Sequence, residues 1–452
     1  MRRAATVLSL PPDLAARLRP AELADLHAHA APDAVLAPTR AVAPGRLRPP
    51  GSDTPVVTLD GAVHEVGDCP LVACRDAGDL AAVETWARQG RLGGTTYVLS
   101  DLLSLSVDTD RLATTLGGET GYRTALGDPD CECVHLAASL PADYRREWGG
   151  LVVQGVAPVE TQGAPAVPRL TLYGDGTVAV EEVGVDRLGL RAVDGVGEKR
   201  AQTLREAGYD RSSLADAPIH ELADLPGFGR EVATSAVRSA RAVERDELSR
   251  TGDAPLPDNP VFVDIETDGL RPSVVWQVGA MRDGEYRAFL ARDPDEEAAM
   301  LDAFLDWFGG PSRGTLVAWN GWGFDFPVLE ERIAAVRPDR LAGWRSACRF
   351  DPLRWARDED NAVLPGRTNT LEAVAGALGF EGEDAGLTGA ETARRYRAWL
   401  EGGPEPDWAR HRTYCENDVR MLAHVFEALE STDRVAHANH TPDTRQGSLS
   451  EF

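Results

Sequence analysis

The spacing of apolar positions along this chain changes character at two places, and those changes mark three blocks. Between residues 1 and 186 short apolar runs alternate with stretches of helical period, predicting a strand at 56–59, a helix at 77–88 and a strand at 96–99. Apolar runs at 134–136 and 151–153 continue the series, and the alternation on either side of Gly174-Asp-Gly176 predicts a hairpin over 170–180. The proline-rich stretch 158–168 reads as a long surface loop. This is an α/β or α+β domain to which the pattern assigns no function. From 187 to 245 the period is helical and the block is all-α. Residues 246–258, with Gly252 and Pro-Leu-Pro at 255–257, predict a linker. From 259 to 430 strands at 261–266, 274–280, 285–290 and 315–319 alternate with helices at 295–308 and 325–336, followed by helices around 370–379, 388–400 and 411–429. That pattern is a mixed sheet flanked by helices. The remainder, 431–452, is expected to be a disordered tail.

Four carboxylates of the third block carry its chemistry. Asp264 and Glu266 stand two apart on the buried strand 261–266, so they project from one face. Tyr414 and Asp418 stand four apart on the helix 411–429 and share a side of it. Asp325 closes the run Trp-Asn-Gly-Trp-Gly-Phe-Asp at 319–325. Acids gathered at one point repel one another and raise their own pKa values unless divalent cations neutralise them. The pattern reads as a two-metal site for phosphodiester chemistry. Acids that only cap strand ends need no Asn or Tyr at fixed offsets.

The three runs, Asp264-x-Glu266, Asn320 to Asp325 and Tyr414-x3-Asp418, resemble in order and spacing the DEDD superfamily of 3′–5′ exonucleases in its Tyr variant. The same motifs occur in the proofreading domains of family B DNA polymerases. The likeness is greatest to the YprB-type ribonuclease H-like exonucleases, through Arg349-Phe-Asp351-Pro-Leu353, Thr370-Leu-Glu-Ala-Val-Ala-Gly-Ala-Leu-Gly379 and Leu387-Thr-Gly-Ala-Glu391, and it covers roughly 259–430. It implies a ribonuclease H-like fold and two Mg²⁺ or Mn²⁺ ions. By the same resemblance Asp264 bridges both ions, Glu266 and Asp418 hold the ion that activates water, and Asp325 supports the second. Tyr414, neutral near pH 7, would orient the attacking water. Asn320 would contact the terminal nucleotide, with Thr267 and Leu270 lining its pocket, while Trp322 and Phe324 read as packing anchors. Asp351 falls near the site but is not expected to be a ligand. Trp-Gly before Phe-Asp departs from the family pattern where the terminal base is held.

The middle block repeats itself. Val193-Asp-Gly-Val-Gly-Glu-Lys is echoed by Leu225-Pro-Gly-Phe-Gly-Arg-Glu, each opening a helix. The repeat resembles the tandem helix–hairpin–helix domain of DNA repair and recombination proteins. Glycines at 195, 197, 227 and 229 let the backbone approach a phosphate, and the helix N-terminus behind them presents amides and a positive dipole end, with Lys199 beside it. Residues 187–245 hold ten Lys or Arg against nine acids. The plainer alternative is a packing unit joining two domains, and Glu198 and Glu231, just after the hairpins, favour it mildly.

Composition modifies this picture at three points. The net charge is −25, and 46 of the 47 basic residues are arginine, Lys199 being the exception. Such an acid-rich, lysine-poor chain resembles the proteins of extreme halophiles, where counterion release contributes little to DNA affinity and short-range contacts to phosphate must serve. No run is long enough to span a membrane and the start lacks a signal-peptide pattern, so a cytoplasmic protein is expected. Cys69, Cys74, Cys131 and Cys133 allow a four-thiolate zinc site, but their spacing and apolar neighbours favour packing. Asp25-Leu-His27-Ala-His29 matches the first metal motif of polymerase-and-histidinol-phosphatase phosphoesterases, yet it lies in a helical pattern and is expected to be an exposed helix face. The leading expectation is a metal-dependent 3′–5′ exonuclease acting on DNA. An RNA-trimming exonuclease and a catalytically idle nucleic-acid scaffold are the alternatives.

Overall fold

The computed structural model describes residues 3–40, 42–108, 113–161, 164–309, 314–383, 385 and 387–433. The expected tail therefore lies outside the described residues from 434 onward, and the last helix closes at Ser431. The chain divides into two compact units, residues 1–211 with 225–227 and 384–395, and residues 212–224 with 228–383 and 396–452.

The first unit is built on two six-stranded sheets. In one, Arg3–Ser9 runs antiparallel to Ala164–Tyr173 and parallel to Ala34–Leu36. In the other, Cys69–Ala73, Thr95–Ser100, Glu132–Pro141 and Leu151–Ala157 are parallel, with antiparallel strands at both edges. Strand alternation assigns the layers. Ala5, Val7, Leu71, Ala73, Tyr97 and Leu99 from both sheets form one shared core. Their neighbours Leu8 and Val35 turn to the helix Pro20–Ala30, while Val72 and Val98 turn to the helices Ala77–Arg88 and Glu119–Leu126. The layers run helix, sheet, sheet, helix. The Tyr97 hydroxyl donates to the Tyr173 carbonyl at 2.7 Å, linking the two sheets.

The hairpin over 170–180 forms as expected, with Ala164–Tyr173 and Val178–Gly184 in register from Ala166–Gly184 to Leu172–Val178. The expected loop over 158–168 does not. Val159–Thr161 pairs antiparallel with 164–166, and the long strand continues through Pro165 and Pro168 because neighbours on both sides hold it. The His-containing segment is helical but not exposed. His27 is buried with Nε2 3.0 Å from the Leu47 carbonyl, His29 contacts Glu181, and Asp25 accepts two bonds from Arg211 and one from the Gly189 amide. Cys69 faces the inter-sheet core while Cys74, an odd number of residues later, faces the helices with Cys131 and Cys133, so the four thiols do not converge. Burial pushes the Cys69 and Cys74 thiols up to about 12.

In the second unit a five-stranded sheet runs in the order Glu285–Leu290, Val275–Arg282, Pro260–Thr267, Thr315–Val317, Arg349–Phe350. The first three strands are antiparallel and the last two join them in parallel. Val261, Val263 and Ile265 pack against the helices Glu297–Phe308 and Asp325–Val336. Phe262 faces the other way, onto Val419, Leu422 and Phe426 of the long helix Trp408–Ser431. Residues 246–258 are anchored rather than loose. Ser249 and Arg250 pair with Val363 and Ala362, the Arg250 guanidinium lies 5.4 Å from the Trp355 ring, and Leu248 and Leu256 join a core cluster. Among the described residues no helix is long and apolar enough to cross a membrane.

Candidate metal centre and nucleic-acid elements

The alternation that sends Val263 and Ile265 into one core turns Asp264 and Glu266 toward the long C-terminal helix. That helix brings Tyr414, Cys415 and Asp418 to the same place, while Val419, Leu422 and Phe426 fix its register on the sheet. Asp325 arrives from a third direction, at the first turn of its helix, where its carboxylate accepts from its own amide and from that of Ile265. Oxygens of Asp264 and Glu266 and the sulfur of Cys415 lie within 4.8 Å of one another. Asp264 and Asp418 open onto a cleft of about 400 Å³ whose walls include Asn320, Leu353, Thr370 and Glu372.

The electrostatics follow from crowding in a poorly hydrated place. Burial, then the charges of Asp418, Glu266 and Asp325, hold the Asp264 carboxyl well above its usual range. Glu266 is raised by burial and by Asp418 and Asp325. Asp418 is raised by burial and Glu372, partly offset by a hydrogen bond from the Tyr414 hydroxyl. Asp325 is pushed up to about 7, chiefly by burial. Glu266 is only 5% exposed and its Oε1 has no hydrogen-bond partner. A buried carboxylate oxygen with no donor, among acids that raise one another, fits a divalent cation.

The remaining residues singled out from sequence take varied places. Asn320 lines the cleft, in a left-handed backbone conformation at φ 52°. Thr267 is buried and its hydroxyl donates to the Gly269 carbonyl at 3.0 Å, whereas Leu270 is 91% exposed. Neither belongs to the cleft wall. Phe324 packs in the core, but Trp322 is 44% exposed, edge-on to Phe326, with the Arg349 guanidinium 5.7 Å from its ring. Asp351 caps the helix Pro352–Arg357 through the Leu353 and Arg354 amides and accepts from the Trp322 amide at 3.3 Å. It thereby holds the turn that carries Asn320. Two further residues stand at the site with no sequence signal that assigns them a role: Glu372, in the first turn of Leu371–Ala377, and Cys415, between the motif residues Tyr414 and Asp418.

In the middle block Gly195 and Gly227 take φ of 73° and 83°, a conformation that side chains resist, and Gly197 and Gly229 stand as N-caps of Glu198–Glu206 and Arg230–Arg245. Arg200 joins the two hairpins, donating to the Gly195 carbonyl at 2.6 Å and to that of Gly227 at 2.9 Å. Lys199 is exposed. The negative charge that argued against phosphate binding is already engaged, since Glu198 accepts from Arg19 at 2.8 Å and Arg205 at 2.9 Å. Glu231 is exposed.

Comparison with known proteins agrees with these two assemblies. Residues 261–430 match the RNase H superfamily and residues 188–242 the SAM-like helix–hairpin–helix tandem. No curated protein matches the chain. Among solved structures, a family B DNA polymerase from the hyperthermophilic archaeon Pyrobaculum calidifontis is 18% identical with a TM-score of 0.30, covering 60% of this chain and 44% of its own. Exonuclease I of E. coli in complex with a dT13 oligonucleotide is 20% identical with a TM-score of 0.23, covering 34% and 43%. The chain thus spans under half the length of either. It carries an RNase H-like domain and a helix–hairpin–helix domain behind an N-terminal α/β region.

Proposed function

We propose that this nuclease-type domain hydrolyses phosphodiester bonds of DNA from the 3′ end, with the helix–hairpin–helix tandem holding the substrate. The observation that carries the reading is the convergence of Asp264, Glu266, Asp325 and Asp418, from one strand and two helices, with Asp264 and Asp418 at the mouth of a cleft. These four acids would hold Mg²⁺ or Mn²⁺, whose chemistry there is to stabilise charge on the phosphodiester and make a bound water acidic. Tyr414 keeps its proton, because burial and Asp418 hold its hydroxyl well above the usual range. It serves as a donor that orients Asp418 and an incoming water, not as a base. Asn320, fixed through Asp351, offers an amide in the cleft wall to the terminal nucleotide. Two glycine hairpins tied by Arg200 present backbone amides suited to phosphates of a duplex region.

The test is incubation of the full chain with Mn²⁺ in concentrated KCl and 3′- or 5′-labelled DNA and RNA strands, beside an Asp264→Asn, Asp418→Asn double variant. Stepwise shortening of DNA from its 3′ end, abolished in the variant, is expected. Shortening of RNA alone transfers the reading to an RNA-trimming enzyme. Degradation that persists in the variant, or inactivity on every strand, overturns it.

A further inference from the structure

Cys415 stands where an all-carboxylate metal centre has no need of a sulfur. Its side chain is fully buried, with Sγ 3.5 Å from Asp264 Oδ2. The sheet is shaped to admit it. Gly279 is the ladder partner of Asp264, and a Cβ there would lie 2.5 Å from Sγ and 3.0 Å from the Tyr286 hydroxyl. Any larger residue at 279 would therefore drive the thiol off the acids. A second observation is independent of the thiol: Glu266, 5% exposed, leaves Oε1 without a partner beside it. The three donor atoms, all within 4.8 Å of one another, can reach one cation with side-chain movements of about an ångström.

We infer that Asp264, Glu266 and Cys415 form a mixed carboxylate–thiolate site that selects a borderline-soft divalent cation, Zn²⁺ or Cd²⁺, over Mg²⁺. Carboxylates alone suit Mg²⁺ and Mn²⁺, whereas a thiolate shifts preference toward softer ions. As the metal–sulfur bond forms, the thiol proton passes to solvent. The inference deepens the metal-dependent reading above, yet its measurement requires no cleavage.

Full-length protein in a Cys131→Ser, Cys133→Ser, Cys348→Ser background, which removes the exposed and half-exposed thiols, is titrated with Cd²⁺ and the ultraviolet thiolate-to-cadmium absorption recorded. One saturating equivalent, displaced by Zn²⁺ and not by Mg²⁺, is expected. Cys415→Ser should abolish the band and weaken Zn²⁺ binding at least about tenfold more than it weakens Mn²⁺ binding. An Asp264→Asn, Glu266→Gln variant, which keeps the thiol, should lose the band as well, and melting curves verify that each variant is folded. A band that survives Cys415→Ser, absence of any band, or equal losses of Zn²⁺ and Mn²⁺ affinity overturns the inference and leaves Cys415 as a hydrogen-bond donor to Asp264. An intact band in a protein without Mn²⁺-dependent cleavage removes the nuclease reading and keeps the site.

Discussion

At Glu391 two forces act on one carboxyl in opposite directions. Burial raises its pKa, but the Arg394 hydrogen bond and the charges of Arg145, Arg394 and Arg395 outweigh it and hold the group down to about 2. Arg394 and Arg395 both approach within 2.7 Å. A folded-state pKa below the unfolded value means stability that is present above about pH 4.5 and lost as pH falls toward 2. Two and a half pH units at about 1.4 kcal/mol each amount to about 3.5 kcal/mol. Unfolding of the first unit, followed across that window, should therefore lose about this much, and Glu391→Gln should flatten the profile. Equal slopes in both proteins would refute the assignment. The same scale separates what sequence discloses from what it hides. Asp264, Glu266 and Asp418 were legible because a period of two or four fixes which side chains share a face. Cys415 was not, because the space for Sγ exists only where Gly279 comes to lie opposite Asp264, a matter of cross-strand register. Glu372 was not, because its helix Leu371–Ala377 reaches the cleft wall only in the folded chain.

Elements were legible where local and tertiary signals agreed. The helix expected over 77–88 forms as Ala77–Arg88, with Asp76 capping it through the amides of Gly78 and Asp79. The strands of the RNase H-like domain expected at 261–266 and 285–290 form as Pro260–Thr267 and Glu285–Leu290. Prediction weakened where a neighbour overrode composition, as in the proline-containing strand Ala164–Tyr173 and in Ser249–Arg250, held by Ala362–Val363. The two glycine hairpins supply a test at this scale. Because Gly195 and Gly227 sit at positive φ, Gly195→Val with Gly227→Val strains both turns and tilts the amides away from a bound phosphate. Affinity for duplex-containing DNA, by fluorescence anisotropy, should fall about tenfold or more, while cleavage of short single strands persists. Equal loss on both substrates would argue that the repeat is only a packing unit.

For the whole molecule the dominant quantity is a net charge of −25 on 452 residues. Repulsion among so many carboxylates opposes compaction in dilute salt. Screening contracts it to a range of about 3 Å at molar ionic strength. The melting temperature should accordingly rise from dilute to multimolar KCl, measured by calorimetry with Mn²⁺ held constant. A flat or falling trend would count against adaptation to concentrated salt. Total charge and the local count over 187–245 were readable from the sequence, but which charges pair was not. The pairing of Glu198 with Arg19 and Arg205 needed the structure, because residue 19 lies 179 positions away in sequence.

The strand Pro260–Thr267 and the helix Trp408–Ser431 each supply only part of the candidate metal centre, and Asp264 meets Cys415 across 151 positions of chain. Contacts of such separation form late, since the intervening chain must be confined before they return any energy. A chain still leaving the ribosome can already hold its first acidic pair on an ordered strand while the helix that completes the site has yet to dock. On the function proposed above, hydrolytic competence would then arrive in one step, after the glycine hairpins have been made, and nascent chains would be able to associate with nucleic acid before they could cut it.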